Sequence, residues 1–257
     1  VNQRNADGRR SARDRMRQQR EKDRAREKRQ RTLVVAATAV AVLGVATAVG
    51  VLVSKNNQGG SSGPVTAPKG ATGKDDLVIQ TGRASAPATL TIYEDFRCPA
   101  CKQFEDAYRD TIHQLQDDVK LKTDYHLVTI IDGNLGGSGS LNAANAAACA
   151  QDAGKFTAYH DVLYANQPEE SDDAFADKKH LIELAGKVDG LDTPAFRDCV
   201  NKGTHDSWVK ASGRDFAASG FGSTPTVLLD GENIYGDQQN PLTPDRLKQL
   251  VDEAAKN

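Results

Sequence analysis

Cysteine is scarce in this sequence: four residues among 257, alongside a single tryptophan and a single methionine. Four thiols allow three pairings and are too few to staple a scaffold without a core, so the chain must fold by ordinary apolar burial. Its length suffices for one substantial core with a smaller subdomain. Metal-site spacing is lacking too. Cys149 and Cys199 stand alone, and His113, His126, His160, His180 and His205 are at least 13 residues apart. A structural zinc needs four ligands at close spacing, so no metal is expected, and no other cofactor. No serine occupies a Gly-x-Ser-x-Gly elbow, which leaves a hydrolase unsupported. The Gly-rich run "DGNLGGSGS" (132–140) has neither Gly-Lys-Ser/Thr nor Gly-x-Gly-x-x-Gly order and reads as a mobile connection.

Basic charge is missing from most of the chain. Residues 1–32 hold 13 Arg and Lys against 5 Asp and Glu, a net of +8, which leaves −10 on the other 225 residues. That acidic remainder offers no broad surface to nucleic acid. Charge vanishes altogether from "LVVAATAVAVLGVATAVGVLV" (33–53), 21 residues that as a helix would extend about 31 Å, the thickness of a bilayer core. A single transmembrane helix is expected there, with a cleaved signal peptide as the alternative because Ala46-Thr47-Ala48 has small residues at the cleavage spacing. The basic residues before the span, with only Lys55 close behind it, place 1–32 in the cytoplasm and the C-terminal part outside the cell membrane. The head reads as a tail that stays inside, with anionic lipid headgroups as the alternative ligand. Residues 54–74, rich in Gly, Ser, Pro and Thr, read as a flexible tether, and the folded domain is expected over 75–257.

Within that domain, strand-like runs lie at 76–82, 88–96, 119–130 and 224–231, with a short return near Ile234-Tyr235. Helical spacing covers 99–116 and 243–256, the latter capped by Thr243 before Pro244. Residues 138–218 contain nothing strand-like of any length. They fit four helices, near 140–152, 155–165, 173–187 and 193–211, the last capped by Thr193. The expected fold is therefore α/β: one mixed sheet covered by helices, with an inserted all-helical subdomain. Trp208 is read as packing in that region, not as a substrate platform.

"FRCPACKQF" (96–104) carries the chemistry. In a Cys-x-x-Cys that opens a helix after a strand, unpaired backbone N–H groups converge on the first thiol and favour thiolate. The second thiol lies one turn inward, close enough to resolve a mixed disulfide. Pro99 suits the first turn because its missing N–H has no partner there. Cys98 and Cys101 are read as a redox-active pair, against an inert bridge or half a metal site. Glu94 and Asp95 border the pair as candidate modulators of a thiol or a proton, or as merely solvated strand-end carboxylates.

"TIYEDFRCPACKQFE" resembles the active-site stretch of the DsbA-like thiol-disulfide oxidoreductases, over roughly residues 76–256. The resemblance implies a thioredoxin-like fold interrupted by a helical domain, of a membrane-anchored type found in actinobacteria. It further implies that "GSTPTVLLDG" supplies a cis-proline, Pro225, facing the redox pair, that Phe96 packs beneath the active-site helix, and that substrate peptides run past Thr224. Where the best-known strong oxidases carry Pro-His between the cysteines, this chain has Pro-Ala. Ala100 cannot help to hold a thiolate, so a less oxidising pair is expected, and Thr224 also precedes the proline in reducing and isomerising relatives. The expected enzyme oxidises cysteine pairs in secreted or membrane proteins and is recycled by a membrane redox partner. The alternatives are a reductase or isomerase, or a tethered binding or chaperone module whose disulfides are structural. Cys149 and Cys199, both in helices of the insertion, are expected to form a structural disulfide that closes a loop of about 50 residues.

Overall fold

The computed structural model of the protein describes residues 64–237 and 239–256. These fall in the second of two compact units, Gly63–Asn257. The basic tail, the apolar span and residues 54–63 of the tether lie outside the described residues. Among those described, no helix is long and apolar enough to cross a membrane.

Five strands form one mixed sheet in the order β1-β3-β2-β4-β5, where β1 is Ile79–Gly82, β2 Ala88–Glu94, β3 Leu121–Leu127, β4 Thr226–Leu229 and β5 Glu232–Asn233. β2 and β3 run parallel, joined through helix α1 (Pro99–Asp117), while the other pairings are antiparallel. Alternation along β2 buries Ala88, Leu90, Ile92 and Glu94 and leaves the residues between them half-covered. The buried face meets Phe104, Tyr108, Ile112 and Leu115 of α1, which packs in turn on the closing helix α8 (Pro244–Ala254). Thr243 caps α8 by accepting from Arg246 N at 3.1 Å.

Between β3 and β4 lie α2 (Ile130–Leu135), α3 (Gly139–Asp152), α4 (Phe156–Ala165), α5 (Lys178–Ala185), α6 (Pro194–Lys202) and α7 (Asp206–Ala218). The run expected as one helix over 193–211 is two. Gly203 ends α6 in the left-handed conformation, φ 62°, and α7 restarts at Asp206. The "mobile" Gly-rich connection is also built differently: it contributes α2 and then the start of α3. A Cβ at Gly139 would collide with the Asp173 carboxylate, so the glycine is what lets that carboxylate reach the start of the helix. Helix α3 is the centre of the region. Its alanines 143, 144, 146, 147, 148 and 150 are all fully buried, and their small side chains let α4, α6 and α7 approach closely. Helix α7 covers the other sheet face, where Phe216 meets Tyr93 at 5.3 Å between ring centroids and Tyr93 stacks on His126. Trp208 is fully buried on α7 and donates Nε1–H to Asp76 O at 2.6 Å.

The sequence reading ran the tether to residue 74, but residues 64–74 lie along the helical region. Thr66 N donates to Ser207 Oγ at 3.0 Å, Lys69 N to Asp152 Oδ1 at 2.7 Å, and Thr72 bridges to Val78. Their polar backbone finds partners on α3 and α7, a feature that composition cannot reveal.

Cys149 on α3 and Cys199 on α6 are bonded, with Cα atoms 5.9 Å apart and 50 residues between them in sequence. Closing a loop of that size stabilises a fold by up to about 4 kcal/mol through chain entropy. Replacing both cysteines by serine should therefore lower the urea-unfolding free energy by up to about 4 kcal/mol and leave the reactivity of Cys98 unchanged. A loss below about 1 kcal/mol would show that helix packing, not the cross-link, holds α3 and α6 together.

Candidate active site

Strand β2 ends at Glu94, and four residues separate it from the start of α1 at Pro99. Cys98 is the N-cap of α1, extended at φ −76° and ψ 118°, with Pro99 at the first helical position. Its carbonyl accepts the first helical bond from Lys102 N at 3.2 Å, and its own N–H donates to Asp95 O at 2.9 Å. Both thiols are free and buried, Cys98 at 6 % exposed and Cys101 at 1 %. The Thr224–Pro225 peptide bond is cis, and the Cys98 thiol donates to Thr224 O at 3.4 Å across the gap between α1 and β4. The structure thus brings Cys98, Cys101, Thr224 and Pro225 to one place.

Two thiols three residues apart have opposite acidities. The Cys101 thiol donates to Cys98, the largest influence lowering the Cys98 pKa to about 6 from 9.0. Burial resists this, while the Thr224 side chain and the N–H groups of Cys101 and Ala100 assist it. Cys101 is driven well above 9.0, first by burial, then by its role as donor to Cys98 and by the charge of Cys98. The result is one thiolate at the helix end with a protonated thiol behind it. None of the lowering comes from a side chain in the Pro-Ala dipeptide.

Glu94 and Asp95 are not solvated strand-end carboxylates; they are 1 % and 0 % exposed. Asp95 accepts from Arg97 N at 2.8 Å and Ile131 N at 2.9 Å, yet burial raises its pKa to about 6. Glu94 points to the core face of β2 and accepts from His160 Nε2 at 2.8 Å. Glu105, on the buried face of α1, completes a cluster in which the ligand atoms of Glu94, Glu105 and His160 lie within 4.8 Å of one another. Burial opposes charge on His160, but the carboxylates of Glu94 and Glu105 outweigh it and raise its pKa. Burial likewise raises Glu105, against the pull of His160. These three could hold a cation by spacing alone, but the short His160–Glu94 bond already pairs two of them. The other cluster with such spacing, Cys149, Cys199 and His205, has both sulfurs committed to the disulfide.

Phe96 lies under the start of α1, 1 % exposed, with the ring of Tyr164 at 5.0 Å and that of His160 at 5.6 Å. Sequence reasoning missed His160, Glu105, Arg97 and Gln167 in this neighbourhood. Glu105 had a signal: it shares a helix face with Cys101, Phe104, Tyr108 and Ile112, where it is the one charged residue. His160 and Gln167 had none, because only the packing of the helical region brings them here.

The reduced protein should show a thiolate absorbance at 240 nm that titrates near pH 6, assigned to Cys98 by its loss in Cys98→Ser. Cys101→Ala removes the donor to Cys98 and should move the midpoint upward. Because the folded-state pKa is lowered, the thiolate stabilises the reduced fold fully above the unfolded pKa near 9, and this stabilisation is lost as pH falls through about 6. A midpoint near 8.5 or higher would remove the acidity argument.

The fold and site have relatives. A thioredoxin family model matches residues 74–253. The reduced crystal structure of DsbA from Mycobacterium tuberculosis superposes with a TM-score of 0.60 at 27 % identity, covering 70 % of this chain and 93 % of that one. Disulfide bond formation protein D of Bacillus subtilis is 24 % identical over 177 residues, 68 % of this chain and 76 % of its own length. A segment of the serine/threonine-protein kinase PknE of M. tuberculosis is 24 % identical over 200 residues, 70 % of this chain, and the match spans only 34 % of that kinase. The two cysteines at the start of α1, the cis-proline opposite them and the helical region between β3 and β4 lie within the matched residues, and the chain belongs to the thioredoxin family and, within it, is DsbA-like.

Proposed function

We propose that the protein oxidises cysteine pairs in proteins outside the cell membrane, with Cys98–Cys101 as the disulfide that is exchanged. The asymmetry of the two thiols carries this reading. A substrate thiolate attacks Cys98 Sγ, the Cys98–Cys101 bond breaks, and Cys101 leaves and takes up a proton. The second substrate thiolate then attacks the substrate sulfur of the mixed disulfide and expels Cys98 as a stabilised thiolate. Two electrons pass from the substrate dithiol to the pair, and a membrane redox partner with its own disulfide removes them. An extended substrate segment would lie along the open backbone at Thr224, ahead of Pro225.

The direction rests on acidity. At pH 7 a thiol of pKa about 6 in place of 9 favours the dithiol form by about 1.4 kcal/mol, or roughly 30 mV. That tilts the pair toward oxidising its substrates without the histidine of a Pro-His dipeptide, and the increment is modest. Asp95, fully buried with its pKa raised to about 6, is suited to hold or release the proton of Cys101.

Equilibration of Cys98–Cys101 with glutathione tests the direction. A potential less negative than roughly −200 mV supports oxidation, and one near roughly −270 mV assigns a reductant instead. Cys98→Ser should abolish oxidative refolding of a reduced substrate, while Cys101→Ser should accumulate mixed disulfides at Cys98. A Cys98 that stays unreactive at neutral pH would favour the binding-module alternative.

The uncharged run 33–53, with its basic flank at 1–32, supports a single-pass anchor that holds this domain on the outer side of the membrane. Protease added to intact spheroplasts should remove the domain and spare the basic tail. Protection of the domain would reverse the topology, and a native chain starting after Ala48 would make the span a signal peptide.

A further inference from the structure

Helix α4 ends at Ala165, and Pro168 follows two residues after the C-cap. The residue before a proline is kept from helical geometry, and Gln167 lies outside the helix. Its backbone is held in place: Gln167 N donates to Tyr164 O at 3.3 Å, Asn166 N and Nδ2 both donate to Val162 O, and Lys187 Nζ donates to Asn166 Oδ1. Tyr164, one turn earlier, packs on Phe96. From this anchored position Gln167 Nε2 donates to two carbonyls of the redox turn, Phe96 O at 2.8 Å and Cys98 O at 3.0 Å. Both hydrogens of the carboxamide are therefore spent on the few residues that join β2 to α1.

We propose that Gln167 is a positioning residue for the exchange reaction, a carboxamide supplied by the helical region that fixes the Cys98 peptide and thereby sets the reactivity of its thiolate. The inference rests on the proposed role of Cys98 and deepens it. Cys98 is an N-cap, and the N–H groups of Cys101 and Ala100 assist the Cys101 thiol in favouring its thiolate. The carbonyl of the same residue is shared between Lys102 N and Gln167 Nε2. With both donors present the peptide plane is held, and the carbonyl dipoles of Phe96 and Cys98 point at Gln167. With Gln167 gone, the Cys98 carbonyl keeps only the helical bond of 3.2 Å from Lys102 N, and the Phe96 carbonyl loses its carboxamide donor. The turn can then rotate, and the sulfur loses alignment with the N–H groups. Ala100 has no polar side chain to compensate, so the helical region supplies what the dipeptide does not.

Two near-isosteric replacements separate positioning from bulk packing. Gln167→Met keeps the volume and removes both donors; Gln167→Glu sets a carboxylate against two carbonyl oxygens and adds negative charge beside the thiolate. The 240 nm titration midpoint of Cys98 should rise by about half a unit to one unit in Gln167→Met, and further in Gln167→Glu. In Gln167→Met, alkylation of Cys98 by iodoacetamide at pH 6 should slow roughly twofold to fivefold. Lys187→Met, which loosens the same segment without touching the carboxamide, should leave both readouts at the wild-type value. A midpoint unchanged in both Gln167 variants overturns the inference, and so does an equal shift in Lys187→Met, which would make the effect one of general loosening. Thermal unfolding measured in parallel identifies a purely structural role, in which Tm falls while the Cys98 midpoint stays. The wild-type titration is the control for the reading beneath: a wild-type Cys98 that is not acidic defeats the proposed function, whereas an acidic one that ignores Gln167 defeats only this inference.

Discussion

A single buried guanidinium joins the redox turn to the helical region. Arg97, next to Cys98 and 2 % exposed, pairs through Nη1 with Asp132 at 2.7 Å and Asp173 at 2.9 Å, and donates to Gly136 O and Glu170 O. The two aspartates then accept from the first amides of α3: Asp173 from Ser138 N and Gly139 N, Asp132 from Ser140 N and Leu141 N. Four helix N–H groups that have no intrahelical partner are thus satisfied by two carboxylates, and the helix dipole favours those charges. An isolated arginine would be costly here. With two carboxylates and two carbonyls around it, the charge is compensated, and its removal would leave two partly buried carboxylates facing each other across the start of α3. The ion pairs act less as a source of net stability than as a lock on where the helical region sits.

That lock gives the site its second set of walls. The strand β2 and helix α1 supply Cys98 and Cys101, and β4 supplies Thr224 and Pro225. The helical region then closes the far side with Gln167 on the carbonyls of the turn and with His160 under Phe96. The asymmetry of the two thiols follows from this enclosure. Cys98 sits where backbone N–H groups converge, and Cys101 sits one turn deeper, where burial and the carboxylate of Glu94 resist a second negative charge. One covalent spacing, Cys-x-x-Cys, becomes a leaving group and a resolving thiol because the helix start and the core lie three residues apart.

The pattern of elements was legible because it is local. The alternation in 88–94, the Pro-capped starts at 99, 194 and 244, and the threonine caps Thr193 and Thr243 all act within a few residues of themselves, and the structure shows them in those roles. What misled was also local: helical spacing continues across Gly203, where one left-handed residue breaks it, and glycines at 133–139 suggest mobility when Asp173, more than thirty residues away, is what orders them. Glu94 and Asp95 looked solvated because strand ends usually are. Yet Glu94 occupies the same alternating face as Leu90 and Ile92, so its burial could be read from the period, whereas its partner could not.

The sequence by itself determined the chemistry available. It set two thiols at helix-opening spacing, a proline between them and a second proline after Thr224, because reactive groups and the short-range geometry that presents them are properties of contiguous residues. Only the tertiary structure decided how those groups behave. Arg97, His160, Glu105 and Gln167 reach the site from the turn after β2, α4, α1 and the segment after α4, and no periodicity links positions 97, 105, 160 and 167. Electrostatics and hydrogen bonding act through space over a few ångströms, so the acidity of Cys98, the burial of Glu94 and the partners of both exist only once the helical region has packed against the sheet.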